Sequence, residues 1–180
     1  YQLKLFGYSS SDALSIYGIL TGMAFAIIMF PTVLTNSISV LLLPVVSEAQ
    51  AKHNDRLIRE AIIKTTESCL LLGLLCTIGL LVLGDFIGNF IFKNALSATF
   101  IVTMSWICPF LYLGSTLNSI FHGLGKPGIT LFLNLFSCLI RILFIIFLIP
   151  VIGIKGYLTG LLISQIALCV LALLWLYRLM

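Results

Sequence analysis

Three polar side chains on an otherwise hydrocarbon stretch have types and spacing that could do chemistry. Asn134, Ser137 and Arg141 recur at three- and four-residue intervals within Gly128–Val151, so they share one face of a helix. Arginine offers a planar fork of donors matched to carboxylate or phosphate oxygens, and amide and hydroxyl groups on the same face can complete such a site. Arg141 lies about 20 Å along a helix from Gly128 and about 15 Å from Val151, too far for its side chain to reach water at either end. An arginine at that depth costs roughly 2.5–3.5 kcal/mol on insertion scales, and such residues usually face a bundle interior or a water-filled cavity. Two readings stay open. Arg141 binds an anionic group in a cavity, or it is the buried half of a structural pair with an acid on another helix or with carbonyls freed near Pro31.

A second polar row, Thr32, Thr35 or Asn36, and Ser39, lies between Pro31 and Pro44. It either packs helix against helix or lines a wet cavity beside a bend. The remaining candidates have plainer readings. Glu67 follows Lys64 by one turn and can pair with it near the interface, Asp85 marks an outer surface, and His122 is a surface or packing residue. Gly123–Gly128 is a tight reversal stopped by Pro127; it lacks the GxxxxGK[ST] spacing of a phosphate-binding loop. There is no Ser–His–Asp order in a credible context, no HExxH and no carboxylate pair at membrane depth, so no catalytic residue, metal site or cofactor is expected. The five cysteines, Cys69, Cys76, Cys108, Cys138 and Cys169, are scattered singly and read as small apolar packing residues.

The elements that must position these groups are five apolar stretches, at about 15–46, 66–83, 96–121, 128–151 and 156–177. A bilayer core about 30 Å thick needs roughly 20 apolar residues per spanning helix. Apolar residues make up 61% of the chain and charged residues 9%, against about 25% charged in a soluble domain. The expectation is an all-α, polytopic membrane bundle, a single membrane domain over residues 1–180. Ser9-Ser10-Ser11-Asp12 is a plausible N-cap cluster before the first span.

The basic residues gather in alternate gaps. Lys52, Arg56, Arg59, Lys64, Lys126 and Arg178 fall on one side and Lys4, Lys93 and Lys155 on the other. The positive-inside rule places the first and third connections in the cytoplasm, with Tyr1 outside and Met180 inside. A net charge of +4 without a basic, aromatic-interleaved patch gives no nucleic-acid surface.

The run Leu14-Ser15-Ile16-Tyr17-Gly18-Ile19-Leu20-Thr21-Gly22-Met23-Ala24, followed by Phe30-Pro31-Thr32-Val33-Leu34-Thr35-Asn36-Ser37-Ile38-Ser39 and Leu43-Pro44-Val45-Val46-Ser47-Glu48-Ala49, resembles the stage V sporulation protein B family. That family sits within the oligosaccharidyl-lipid flippases and multidrug-extruding transporters. Phe121-His122-Gly123-Leu124-Gly125-Lys126-Pro127 and Gly153-Ile154-Lys155-Gly156-Tyr157-Leu158-Thr159-Gly160 are similar to the same group. The resemblance covers nearly the whole chain. It implies about twelve to fourteen helices in two similar halves around a central cavity, of which this chain would be most of the second half. Related peptidoglycan-precursor flippases hold a pyrophosphate with cationic residues, but their best-known cationic motifs lie mainly in regions absent from this sequence, so a role for Arg141 is an inference from its chemistry and not a motif transfer.

The resulting expectation is a multi-pass transporter of a bacterial cytoplasmic membrane, not an enzyme. It would flip a lipid-linked oligosaccharide or peptidoglycan precursor by alternating access, in cell-wall or spore-wall polysaccharide synthesis. Arg141 would hold a head-group phosphate, Asn134, Ser137 and Asn36 would line the path, and Pro31 with Pro44 would bend helices. Its partners would be membrane lipid, the lipid-linked saccharide and the remaining transporter helices. The alternative is a cation-coupled drug antiporter, which needs a deep acid where this stretch offers only Glu67; a non-transporting scaffold for an envelope synthase is a third reading.

Overall fold

A computed structural model describes residue 3, residues 7–52 and residues 54–179. Tyr1, Lys4, His53 and Met180 lie outside the described residues, and with them the expected location of both chain ends. The described chain folds into seven helices: α1 (Ser10–Met29), α2 (Thr32–Ala51), α3 (Asp55–Phe86, continued by a π-turn over Ile87–Ile91), α4 (Ala95–Ser105), α5 (Cys108–Gly123), α6 (Pro127–Ile152) and α7 (Ile154–Leu179). Five of them are each long and apolar enough to span a bilayer, and α4 with α5 passes the same test as a bent pair.

Helix α1 starts where its cap permits, with Ser9 Oγ accepting from the Asp12 amide at 3.1 Å. It contains a π-helical turn at Leu20–Ala24 and stops before Pro31. The apolar stretch 15–46, read as one proline-interrupted span, is therefore two helices. Pro31 has no N–H to continue the ladder, and the chain closes the turn through Phe30 N to Ala26 O and Ile27 O. The Met29 carbonyl accepts from Thr32 Oγ1, and the Ile28 carbonyl from Tyr112 Oη at 3.0 Å. Every carbonyl freed at the break finds a donor, as a hydrocarbon surrounding requires. Pro44, by contrast, lies inside an unbroken α2.

The stretch 96–121, expected as a single span, is also broken: α4 and α5 meet at 55°. The cause is again a proline. Pro109, at the start of α5, cannot donate to Ser105 O, and Thr77 Oγ1 from α3 supplies that hydrogen bond at 3.1 Å. Ile107 N turns back to Met104 O at 2.9 Å to close the corner.

The two broken helices run in parallel. Helix α1 packs along α4, while α2 packs along α5 and α3, so α1 and α2 stack end to end rather than folding back as a hairpin. The long α3 runs past both α4 and α5. It approaches them through glycines: a Cβ built on Gly73 would meet Pro109 Cα at 2.6 Å, and one on Gly88 would meet Ala98 Cα at 2.3 Å. Lipid offers no hydrophobic drive to associate helices, so close backbone approach through small residues takes that place.

Helices α6 and α7 form the last hairpin, reversed at Gly153, whose φ of +68° favours glycine. Gly156 and Gly160 abut Leu148 and Phe144, and Ser137 Oγ donates to Ser164 O at 3.1 Å. The reverse face of α6, including Leu131, Leu135, Leu139, Ile142 and Phe147, is exposed. By their packing, α1–α2, α3, α4–α5, α6 and α7 form five columns of the bundle. The cysteines are all free, and Cys69, Cys108 and Cys169 pack in the interior, but Cys138 is exposed.

Candidate functional site

The polar stripe predicted on α6 does line a cavity. Asn134, Ser137 and Arg141 face a space of about 330 Å³ between α5, α6 and α7, together with Ser115, Asn118 and Gln165. Each wall has a local cause. On α5, Ser115 and Asn118 share a face, and Ser115 Oγ is tied back to Tyr112 O at 3.0 Å. On α7, Gln165 Nε2 donates to Phe110 O at 3.3 Å, in the room left by the absent side chain of Gly114. A Cβ on Gly114 would stand 2.7 Å from that nitrogen. On α6, Asn134 Nδ2 is held by Thr130 O at 2.8 Å, and Ser137 is spent on the Ser164 carbonyl.

Arg141 is the exception. Its Nε is buried and has no hydrogen-bond partner, and neither does the buried Oδ1 of Asn118 in the same wall. Two ion pairs are found among the described residues, Lys52–Glu48 and Arg56–Glu60, both far from Arg141 at the α2–α3 turn. The carbonyls at the Pro31 break are occupied by Phe30, Thr32 and Tyr112. Neither partner that a purely structural arginine would need is present among the described residues. A guanidinium beside a carboxamide is a donor set for a planar or tetrahedral oxyanion.

Asn36 is not part of this cavity. It lies exposed on α2 in a separate shallow groove with Val33, Ser37, Val40 and Leu41, whereas Thr35 and Ser39 of the same row are buried. The α2 row therefore divides between packing and an open face. Glu67 and Asp85 are both exposed. The sequence reading missed Ser115, Asn118 and Gln165. The signal existed: Ser115 and Asn118 are three residues apart, and Gln165 is the lone carboxamide within 156–177.

The profile of the Lipid II flippase MurJ family matches residues 15–180. Stage V sporulation protein B of Bacillus subtilis (strain 168) is 25% identical over 157 residues, which cover 86% of this chain and 30% of that protein. This chain thus spans less than a third of its relative's length. No solved structure matches it.

Proposed function

The chain belongs to the Lipid II flippase MurJ family, a family of multi-pass proteins of the bacterial cytoplasmic membrane, and on that premise we propose that it is one helical wall of a lipid-linked precursor flippase. The protein is a transporter rather than an enzyme. The cargo class is a polyprenyl-linked saccharide whose anionic head crosses through a polar path while its tail stays in lipid. Arg141 takes the head-group phosphate, with Asn118, Asn134, Ser137 and Gln165 as polar lining. Asn36 and Ser37, exposed on α2, face the remaining transporter helices. Movement is by alternating access, in which two bundles rock about the site. The observation that carries this reading is the buried, unpartnered Nε of Arg141 in a cavity wall. The drug-antiporter alternative is not favoured, since the lining of this cavity includes no carboxylate.

The test is translocation of the lipid-linked precursor by the complete transporter in liposomes. Arg141→Lys should keep part of the activity, because the charge remains without the fork. Arg141→Gln should lose it, with folded protein recovered in normal yield. Full activity in a well-folded Arg141→Ala variant would remove the proposal. A parallel loss of folded protein and activity in every variant would assign Arg141 to structure.

A further inference from the structure

A second and larger cavity, of about 670 Å³, lies on the other side of α7, between it, α4 and the α1 end of the chain. Its walls run from Leu96 on α4 to Ile107 at the α4–α5 corner and from Ile154 to Ile163 on α7. At 1.5 Å per residue these stretches cover about 15 Å of depth, close to half of a bilayer core about 30 Å thick. The cavity is thus as deep as one leaflet.

Its wall is hydrocarbon in effect. Phe100, Met104, Leu158 and Leu162 are among the residues that line it. The threonine hydroxyls that line it are already committed to their own helices: Thr99 to Ala95 O, Thr103 to Thr99 O and Thr159 to Gly156 O. A polar head group would find no free partner there, whereas an alkyl chain loses nothing.

The mouth has the opposite character. Lys155, exposed in the first turn of α7, lines it and makes no ion pair among the described residues. The N-terminal end of a 26-residue helix points the same way, with its positive dipole end toward any anion. Tyr17 and Tyr157 meet edge to face, 6.5 Å apart, beside Lys155, as aromatic side chains do at the membrane–water boundary. A cation at head-group level above an apolar slot one leaflet deep describes a lipid with a negative head.

We propose that this cavity binds one acyl chain of an anionic glycerophospholipid from the outer leaflet, with its phosphate at Lys155 and the start of α7. The site is separate from the Arg141 cavity, so it can fail without that reading failing.

The complete transporter in mild detergent is titrated with dioleoyl-phosphatidylglycerol or dioleoyl-phosphatidylcholine, and bound lipid is counted by native mass spectrometry. One phosphatidylglycerol should be retained, roughly fivefold more tightly than phosphatidylcholine, the factor expected of one interfacial lysine. Lys155→Gln, at an exposed position, should abolish the preference, and Lys155→Arg should restore it. Thr103→Phe, which fills the slot, should weaken retention of both lipids. Equal retention of the two lipids by the unaltered protein, or an unchanged preference in Lys155→Gln, overturns the proposal. So does unchanged retention in Thr103→Phe. Displacement of phosphatidylglycerol by undecaprenyl phosphate would give the slot to the transported lipid's tail and equally overturn it.

Discussion

The phenol of Tyr112, near the start of α5, donates a 3.0 Å hydrogen bond to the carbonyl of Ile28, at the end of α1. Both groups are buried. The bond joins the two broken helices at the level of their breaks, because the Ile28 carbonyl is free only where Pro31 halts the helix. The α3 hydroxyl of Thr77 does the same for the Ser105 carbonyl on the other broken helix. Each proline break is thus closed by a side chain from a neighbouring helix, and the bundle holds its corners through hydrogen bonds that no single helix could make.

Tyr112→Phe keeps the ring and removes the donor. The Ile28 carbonyl then has no partner in a region without water. Side-chain hydrogen bonds between membrane helices average about 0.6 kcal/mol and reach about 1.7 kcal/mol, and this one, being buried at a break, should fall at the upper end. Reversible unfolding in mixed micelles should show that loss, while Tyr17→Phe, at an exposed aromatic contact, should show less.

Glycines in α3 should separate into two kinds. Gly88→Ala places a methyl 2.3 Å from the Ala98 backbone, which cannot move aside as a flexible side chain would. We expect a loss of about 1–3 kcal/mol from overpacking and reduced yield of folded protein. Gly79→Ala meets nothing within 4 Å and should be neutral or stabilising by up to about 1 kcal/mol through helix propensity. Equal behaviour of the two would mean that α3 does not approach α4 this closely.

Gly114→Ala tests the cavity without touching Arg141. The added methyl displaces the Gln165 amide, the end of a flexible side chain, from Phe110 O, and the backbone is spared. Folded protein should be retained and translocation should fall several-fold. If Gln165→Leu leaves transport intact while Gly114→Ala reduces it, the amide is not part of the polar lining.

The orientation is testable by thiol labelling. Arg56→Cys and Lys126→Cys should react only with reagent supplied from the cytoplasmic side, and Lys93→Cys and Lys155→Cys only from outside. The end-to-end stacking of α1 on α2 bears on this pattern: as one crossing they put Tyr8 on the same side as Lys93 and Lys155, whereas two separate crossings would put Tyr8 on the opposite side. Labelling Lys93→Cys from the cytoplasm would reverse the topology.

The sequence alone determined that this is an α-helical, multi-pass membrane protein, because apolar stretches as long as a bilayer is thick allow no other backbone that satisfies its own hydrogen bonds. It also determined the α6 face of Asn134, Ser137 and Arg141, since helical periodicity is a local property of a single segment. The tertiary structure decided what local pattern cannot carry. Pro31 and Pro109 break their helices while Pro44 does not, and at the breaks the freed carbonyls are met by Tyr112 and Thr77 from other helices. Asn36 and Asn134 look alike in sequence, yet one faces an open groove on α2 and the other the Arg141 cavity. Ser115 and Asn118 on α5 and Gln165 on α7 join that cavity beside α6, and the proximity of these helices is fixed by side-to-side packing through Gly114, Gly156 and Gly160. Periodicity says which residues share a face; only packing says what that face meets.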